Sequence, residues 1–274
     1  VLSIIIPAHN EEAWIAGCLA PVLAEPAPGG GAEVIVAANG CTDATVAKAQ
    51  EFSARAGAGG WGFQVLDLPS LGKPGALNAG DAVASGDMRL YLDADVRTGP
   101  GVIGRIVAAL SDPGARYASA RPRIARAQSA VTRAYARFWQ ELPFARSPAP
   151  GFGLFAVNAA GRARWGEYPK LISDDTFVRL LFSPEERIEV EGSYEWPMVE
   201  GFEALVRVRR RQDAGVAEIA RLHPELIRNE GKPGLSKPEL LRMLAQDPAG
   251  FAVYAGVSLA VRMKSQGSDW SRGR

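Results

Sequence analysis

Leu2-Ser3-Ile4-Ile5-Ile6-Pro7-Ala8-His9-Asn10-Glu11-Glu12 sets an apolar run against an abrupt polar turn near the start of the chain. The figure returns at Glu33-Val34-Ile35-Val36-Ala37-Ala38-Asn39-Gly40-Cys41-Thr42-Asp43, and again at Met88-Arg89-Leu90-Tyr91-Leu92-Asp93-Ala94-Asp95. Runs such as Ile4-Ile5-Ile6 and Val34-Ile35-Val36 do not alternate with polar residues, which suits strands buried on both faces by helices. Strands are therefore expected at residues 2–6, 33–37, 63–67 and 88–92. Helices are expected to open at Asn10 and Thr42, both favoured N-cap types, and after Pro74, a residue suited to a first helical turn. Strand alternating with helix predicts an α/β fold with a mostly parallel, Rossmann-like sheet. Ligands of such sheets gather beyond the carboxyl ends of the strands. Residues 7–12, 39–43 and 93–95 should then converge on one sheet edge.

Composition narrows the field. The 274 residues carry 31 Lys+Arg against 30 Asp+Glu, and 47% are hydrophobic, which excludes a disordered or collagen-like chain. A formal net charge of +1 gives no electrostatic reason to expect a nucleic-acid partner. Cys18 and Cys41 alone cannot form a disulfide framework, which points to a reducing, cytoplasmic setting, at the inner membrane face as a further option. No apolar run approaches the roughly 18 residues of a membrane span, and no signal peptide is expected at the start.

Past residue 100 the alternation loosens. Helical stretches are expected at residues 101–110 and 127–141, then a Pro/Gly segment at 143–153. The tail reads as helices punctuated by Pro224, Pro233, Pro238 and Pro248. The expected division is a catalytic domain over residues 1–215 and a helical extension over 216–274. The apolar stretch 251–263, followed by Lys264, is expected to pack on its own domain, with a membrane interface as the alternative.

Asp93-Ala94-Asp95 is a weak motif by itself, and its placement after a central strand gives it meaning. Two carboxylates one residue apart can hold Mg²⁺ or Mn²⁺ together with phosphate oxygens and water. The bland alternative is a solvated turn with Asp95 capping the next element. Beside it, Lys73-Pro74-Gly75-Ala76-Leu77-Asn78-Ala79-Gly80 completes a series of four segments. In order and spacing, the segments at 3–12, 34–43, 73–80 and 92–95 resemble the catalytic half of family-2 glycosyltransferases.

That resemblance implies a GT-A fold and an inverting glycosyl transfer built on nucleotide sugars and Mn²⁺ or Mg²⁺. It implies a UDP- or GDP-sugar donor and, as acceptor, a glycan, a lipid or a small hydroxy compound. Pro7, Ala8, Asn10, Glu11, Asn39 and Asp43 would shape the nucleoside pocket, with Lys73 and Asn78 also on the donor side. Asp93 would contact ribose or metal, Asp95 would ligate the metal, and His223 would be a further ligand. Gly151-Phe152-Gly153 looks like the family's glycine loop near acceptor and donor sugar. Ser173-Asp174-Asp175 looks like its acidic pair, with Asp175 favoured over Asp174 as general base. Arg207, Arg210 and Arg211 share a helical face, so Arg210 or Arg211 is expected at the diphosphate and Arg209 is expected to point elsewhere.

Three departures qualify the resemblance. Asn39 stands where the family carries an Asp toward the base, and an amide donates as well as accepts hydrogen bonds. The acidic pair is Asp-Asp in place of Glu-Asp. Val208 and Gln212 replace the Gln and Trp of the processive motif, which argues against polymer synthesis. The rivals are a degenerate, non-catalytic binding protein and a sugar-phosphate nucleotidylyltransferase. The latter's Gly-rich basic opening loop is replaced here by Pro7-Ala8-His9-Asn10.

Overall fold

The expected strands form, the first three extending past their predicted bounds and the fourth matching them. In the computed structural model, which describes residues 1–231 and 234–263, the strands are β1 (Leu2–Ala8), β2 (Ala32–Asn39), β3 (Trp61–Leu68), β4 (Met88–Leu92), β5 (Arg97–Thr98), β6 (Tyr117–Ile124), β7 (Leu154–Val157) and β8 (Arg187–Trp196). The helices are α1 (Ile15–Val22), α2 (Thr45–Gln50), α3 (Ser53–Ala58), α4 (Gly72–Val83), α5 (Val102–Ala109), α6 (Ala130–Gln140), α7 (Ala159–Arg162), α8 (Asp174–Leu180), α9 (Phe202–Leu222), α10 (Lys237–Gln246) and α11 (Pro248–Met263). Pro233, Lys264 and the remainder of the expected extension to 274 lie outside the described residues.

One sheet runs in the order β3-β2-β1-β4-β7-β6-β8-β5. The N-terminal strands β3, β2, β1 and β4 are parallel, with Ile5 beside both Ile35 and Tyr91. Strand β7 then runs antiparallel to β4 and β6, so β6 and its parallel neighbour β8 run in the same direction as the first half, with β7 reversed between them.

The unalternating Ile4-Ile5-Ile6 run follows from this layering. Ile4 and Ile6 pack with Ile15, Leu19 and Val22 of α1 and with Val102 and Ile106 of α5. Ile5 faces the other way, onto Leu77 of α4, Tyr91 and Phe155. All three isoleucines are fully buried, each worth about 1.5–3 kcal/mol relative to exposure. A third cluster lies toward the C-terminus, where Phe138 and Trp139 of α6 meet Leu205 of α9, Met243 of α10 and Val257 of α11.

Helix α4 begins at Gly72, ahead of Pro74, and two other helix starts differ from expectation. Asn10 does not cap a helix: its backbone is left-handed at φ 54°, its side-chain oxygen accepts from the Thr42 N–H at 2.8 Å, and α1 begins only at Ile15. Asn tolerates that conformation better than most residues. Thr42 likewise precedes its helix, which begins at Thr45. In both cases the polar residues tie the β1 and β2 loops to each other.

Helix α9 runs unbroken through residues 215 and 216, where the extension was expected to begin. Gly215 lets it approach the segment before α8, since a Cβ there would run into the Ser173 side chain. The stretch 251–263 packs as expected, with Phe251, Tyr254 and Val261 against the third cluster, while Leu259 and Met263 are exposed. No described helix is long and apolar enough to cross a membrane.

Gly80 of α4 sits so close to β1 that a Cβ would lie 2.5 Å from Ile5 Cγ2. Helix propensity favours Ala over Gly by about 1 kcal/mol, but overpacking costs about 1–3 kcal/mol. We therefore expect Gly80→Ala to destabilise the protein in urea unfolding, and Gly80→Val to do so more; a gain in stability would contradict this packing.

Candidate active site

The carboxyl ends of β1, β2 and β4 converge as the strand rule requires. Residues 7–14, Asn39, Asp43 and 93–95 line one cleft of about 730 Å³, closed from the other side by residues of α6 and α9 and the 196–199 segment. Its two halves differ in chemistry.

The polar half is a laced pair of loops. Asp43 accepts from the Thr45 N–H at 3.0 Å and, through its other oxygen, from the Glu12 N–H at 3.1 Å. Burial pushes the Asp43 carboxyl up, and these bonds together with the Thr45 hydroxyl outweigh it, so its pKa lies below the ordinary value of 3.8. Glu11 donates its N–H to the Thr45 hydroxyl at 2.7 Å, and Glu12 accepts from the Ala44 N–H at 3.1 Å. Asn39 is buried, and its side-chain oxygen accepts from the Leu71 N–H at 2.6 Å, anchoring the start of α4. His9 meets the Asn39 carbonyl through Nδ1. Pro7, Ala8, Asn10 and Glu11 lie on the same wall.

At the floor, one ammonium joins two carboxylates. Lys73 Nζ lies 2.9 Å from Asp93 Oδ1 and 3.1 Å from Asp174 Oδ2. Burial opposes the lysine's charge, and Asp174, Asp93 and Asp175 more than restore it, so its pKa is raised. Burial lifts the Asp174 carboxyl to about 6, with Lys73 opposing and Asp175 and Asp93 adding repulsion. Neither acid is an N-cap: both stand in the first turn of α8, with Ser173 before them. Asp174 is buried against Lys73, whereas Asp175 is half-buried and shares a small cavity with Asp93, Lys73 and Gly153.

Glycines make the floor possible. Gly153 has φ +69°, its carbonyl accepts from the Asp93 N–H at 2.8 Å, and a Cβ there would lie 3.2 Å from Asp93 Oδ2. Gly151 has φ +76°, and a Cβ would strike the Tyr117 hydroxyl. Phe152 between them stacks on Trp196, with ring centroids 5.5 Å apart, behind the cleft wall.

Three residues expected at the donor or metal site are placed elsewhere. Asn78 spends both ends of its amide on the Tyr168 backbone, at 2.7 and 3.4 Å, and is absent from the cleft lining. Arg210 turns to the Ala260 carbonyl of α11 at 3.4 Å. Arg209, expected to point away, lines the cleft instead, paired with Asp213 at 2.8 Å and lying over the Tyr254 ring. Arg211 lines it as expected. His223 ends α9 with its ring 5.3 Å from Phe177 and outside the cleft lining.

Among the described residues no group of three His, Cys, Asp or Glu side chains forms a metal cage. A divalent cation held by one or two carboxylates and completed by phosphate oxygens needs no such cage. Asp95 and Asp93 on the cleft wall fit that kind of site.

The apolar half was not anticipated. Tyr135, Trp139, Trp196, Met198, Val199 and Leu205 line it. Trp196 ends β8 and Met198 lies just past it, so the strand rule would have flagged them had residues 187–196 been read as a strand.

Residues 3–164, more than half of the chain, match the family model Glycosyl transferase family 2. No curated protein sequence matches the chain. Among solved structures, the chain is similar to a mannosyltransferase from Pyrobaculum calidifontis in complex with GDP-Man and Mn²⁺, at 18% identity and TM-score 0.60, covering 97% of this chain and 76% of that one. It is also similar to S. aureus TarS 1–349, at 15% identity and TM-score 0.57, covering 96% and 75%. The same protein in complex with UDP gives 14% identity and TM-score 0.56, covering 100% and 95%. At these identities the likeness is one of fold, a GT-A-like α/β sheet with helices at the C-terminus.

Because Asp43 ties the two loops of the polar half, Asp43→Ala should cost about 1–2 kcal/mol at neutral pH. Its carboxyl is held below 3.8, so that contribution is present above the unfolded value and disappears as pH falls through the lower folded one. Urea unfolding of both proteins from neutral pH to about pH 3 should show the difference shrinking with acid; a difference that grew would contradict the assignment.

Proposed function

The chain belongs to glycosyl transferase family 2, and from that premise we propose that it is a metal-dependent, inverting enzyme that moves a sugar from a nucleoside diphosphate to an acceptor hydroxyl. The observation that carries this reading is the Lys73 ammonium bridging Asp93 and Asp174, with Asp175 in the same small cavity, which shares Lys73 and Asp93 with the cleft. The mannosyltransferase neighbour holds GDP-Man and Mn²⁺, and TarS holds UDP, which supports a nucleotide-sugar donor here.

The polar half receives the nucleoside. Pro7, Ala8, Asn10 and Glu11 from the β1 loop face Asn39 and Asp43 from the β2 loop across it. With its oxygen engaged by the Leu71 N–H, Asn39 offers amide N–H donors, so the base it favours need not be the one an Asp at this position would select.

The diphosphate belongs over Lys73, Asp93 and Asp95. Asp95 and Asp93 would hold a divalent cation, Mn²⁺ or Mg²⁺, which would supply neutralising charge for the departing diphosphate. Lys73 and Arg211 add fixed positive charge from the protein itself. In a site partly shielded from water such charges act without reorganising during the reaction.

Asp175 takes the proton of the acceptor hydroxyl. The acceptor oxygen then bonds to the anomeric carbon from the face opposite the diphosphate, the bond from that carbon to the phosphate oxygen breaks, and configuration inverts. Asp175 suits this role better than Asp174, whose carboxylate is buried against Lys73 and is left to position it. Gly153 lets the loop ahead of β7 lie against Asp93, and Phe152 supports the wall from behind. Val208 and Gln212, in place of the processive residues, favour one transfer per encounter.

Asp175→Asn should lower kcat by about 10²–10⁴-fold with nucleotide affinity within about twofold of the parent. Steady-state release of nucleoside diphosphate and calorimetric nucleotide binding measure the two sides. Full turnover in Asp175→Asn would remove it as the base.

A further inference from the structure

We infer that the acceptor is a hydroxy compound with an apolar body, received by the Trp139–Trp196–Met198 side of the cleft. This rests on the reading of the cleft as a glycosyl-transfer site and narrows its acceptor class.

The apolar half lines the same cleft as the donor half, and Lys73 and Asp93 are shared between that cleft and the small cavity that holds Asp175. A molecule seated there presents its head to Asp175 and its body to the wall. Tyr135, Trp139 and Leu205 are buried, while Trp196, Met198 and Val199 are half-buried on the opening. A glycan needs hydrogen-bond partners around each ring, and leaving its hydroxyls unpaired in a desolvated site is costly. The side chains of Met198, Val199 and Leu205 supply no such partners, and of the polar side chains on this side Arg209 is engaged by Asp213 and the Tyr254 hydroxyl and Arg211 is assigned to the diphosphate, which leaves Gln212. An unbranched thioether such as Met198 adapts well to an irregular apolar surface.

The wall is held in place and does not rely on collapse. Thr132 of α6 is fully buried, donates its hydroxyl to the Val199 carbonyl at 3.1 Å and accepts from the Gly201 N–H at 2.9 Å. Glu200 takes the Gln128 and Ser129 N–H groups at 2.7 and 2.9 Å, fastening the same segment to the start of α6. Beneath the opening, Trp139 packs on Trp196 with centroids 5.7 Å apart and on Phe152 at 5.4 Å. The apolar surface is therefore preformed, the usual condition of a small-molecule site.

The test measures binding without donor, by tryptophan fluorescence, using butyl, hexyl, octyl and phenyl β-D-glucosides below micellar concentrations, with maltopentaose as the purely polar control. Affinity should rise about fourfold per methylene along the alkyl series and exceed that for maltopentaose. Met198→Asn should weaken octyl glucoside severalfold while nucleotide binding, measured in parallel, stays unchanged. Tight phenyl glucoside binding would support an aromatic body and a steep alkyl series an aliphatic one. Affinity independent of chain length, or maltopentaose binding as tightly as the octyl compound, overturns the inference. If nucleotide binding fails while the alkyl series holds, the donor reading falls and the apolar site stands; the reverse pattern removes the apolar site alone.

Discussion

A single ammonium ties the two halves of this protein together. Lys73 stands at the start of α4 in the parallel half, Asp93 follows the central strand β4, and Asp174 opens α8 in the second half. Three like charges, Asp93, Asp174 and Asp175, gather on one floor, and without a cation between them their repulsion would drive the segments apart. Lys73 allows the carboxylates to coexist there. The left-handed Gly153 and the Ser173–Gly215 contact bring the second half close enough for that pairing.

The same constraint divides the labour of the cleft. Asp174 is committed to Lys73 and buried, which leaves Asp175 as the more accessible carboxylate. On one side, hydrogen bonds between the β1 and β2 loops fix a polar surface suited to a nucleoside. On the other, Thr132 and Glu200 fix an apolar one. A transferase has to hold two unlike molecules with their reacting atoms aligned, and effective concentration depends on that alignment.

The N-terminal half was legible because its signals are local. Ile4-Ile5-Ile6 and Val34-Ile35-Val36 announce doubly buried strands, and the polar residues after them converge by topology alone. Helix starts were less legible, since Asn10 and Thr42 look like caps while they lace loop to loop across more than thirty residues. Strand β8 was missed because its glutamates and glycine break the apolar pattern of Arg187–Trp196, and with it went Trp196 and Met198. Arg209 and Arg210 exchanged their expected places because α11 packs beside α9 and claims Arg210 through the Ala260 carbonyl. A helical wheel drawn on residues 207–212 contains nothing about that neighbour. Lys73 was expected on the donor side, but its carboxylate partners lie 20 and 101 positions away in sequence, so only the folded chain reveals the pairing.

The central claim is that the Lys73–Asp93–Asp95 region receives a metal-bound nucleoside diphosphate. Thermal unfolding with UDP and with GDP, each with and without Mn²⁺, tests it directly on the parent protein and on Asp95→Ala. A ligand at about 100 times its dissociation constant adds about 2.7 kcal/mol, a shift of several degrees for a protein of this size. The account predicts a shift with one nucleotide that requires Mn²⁺ and is lost in Asp95→Ala. No shift with either nucleotide, or a shift that Asp95→Ala leaves intact, would contradict it.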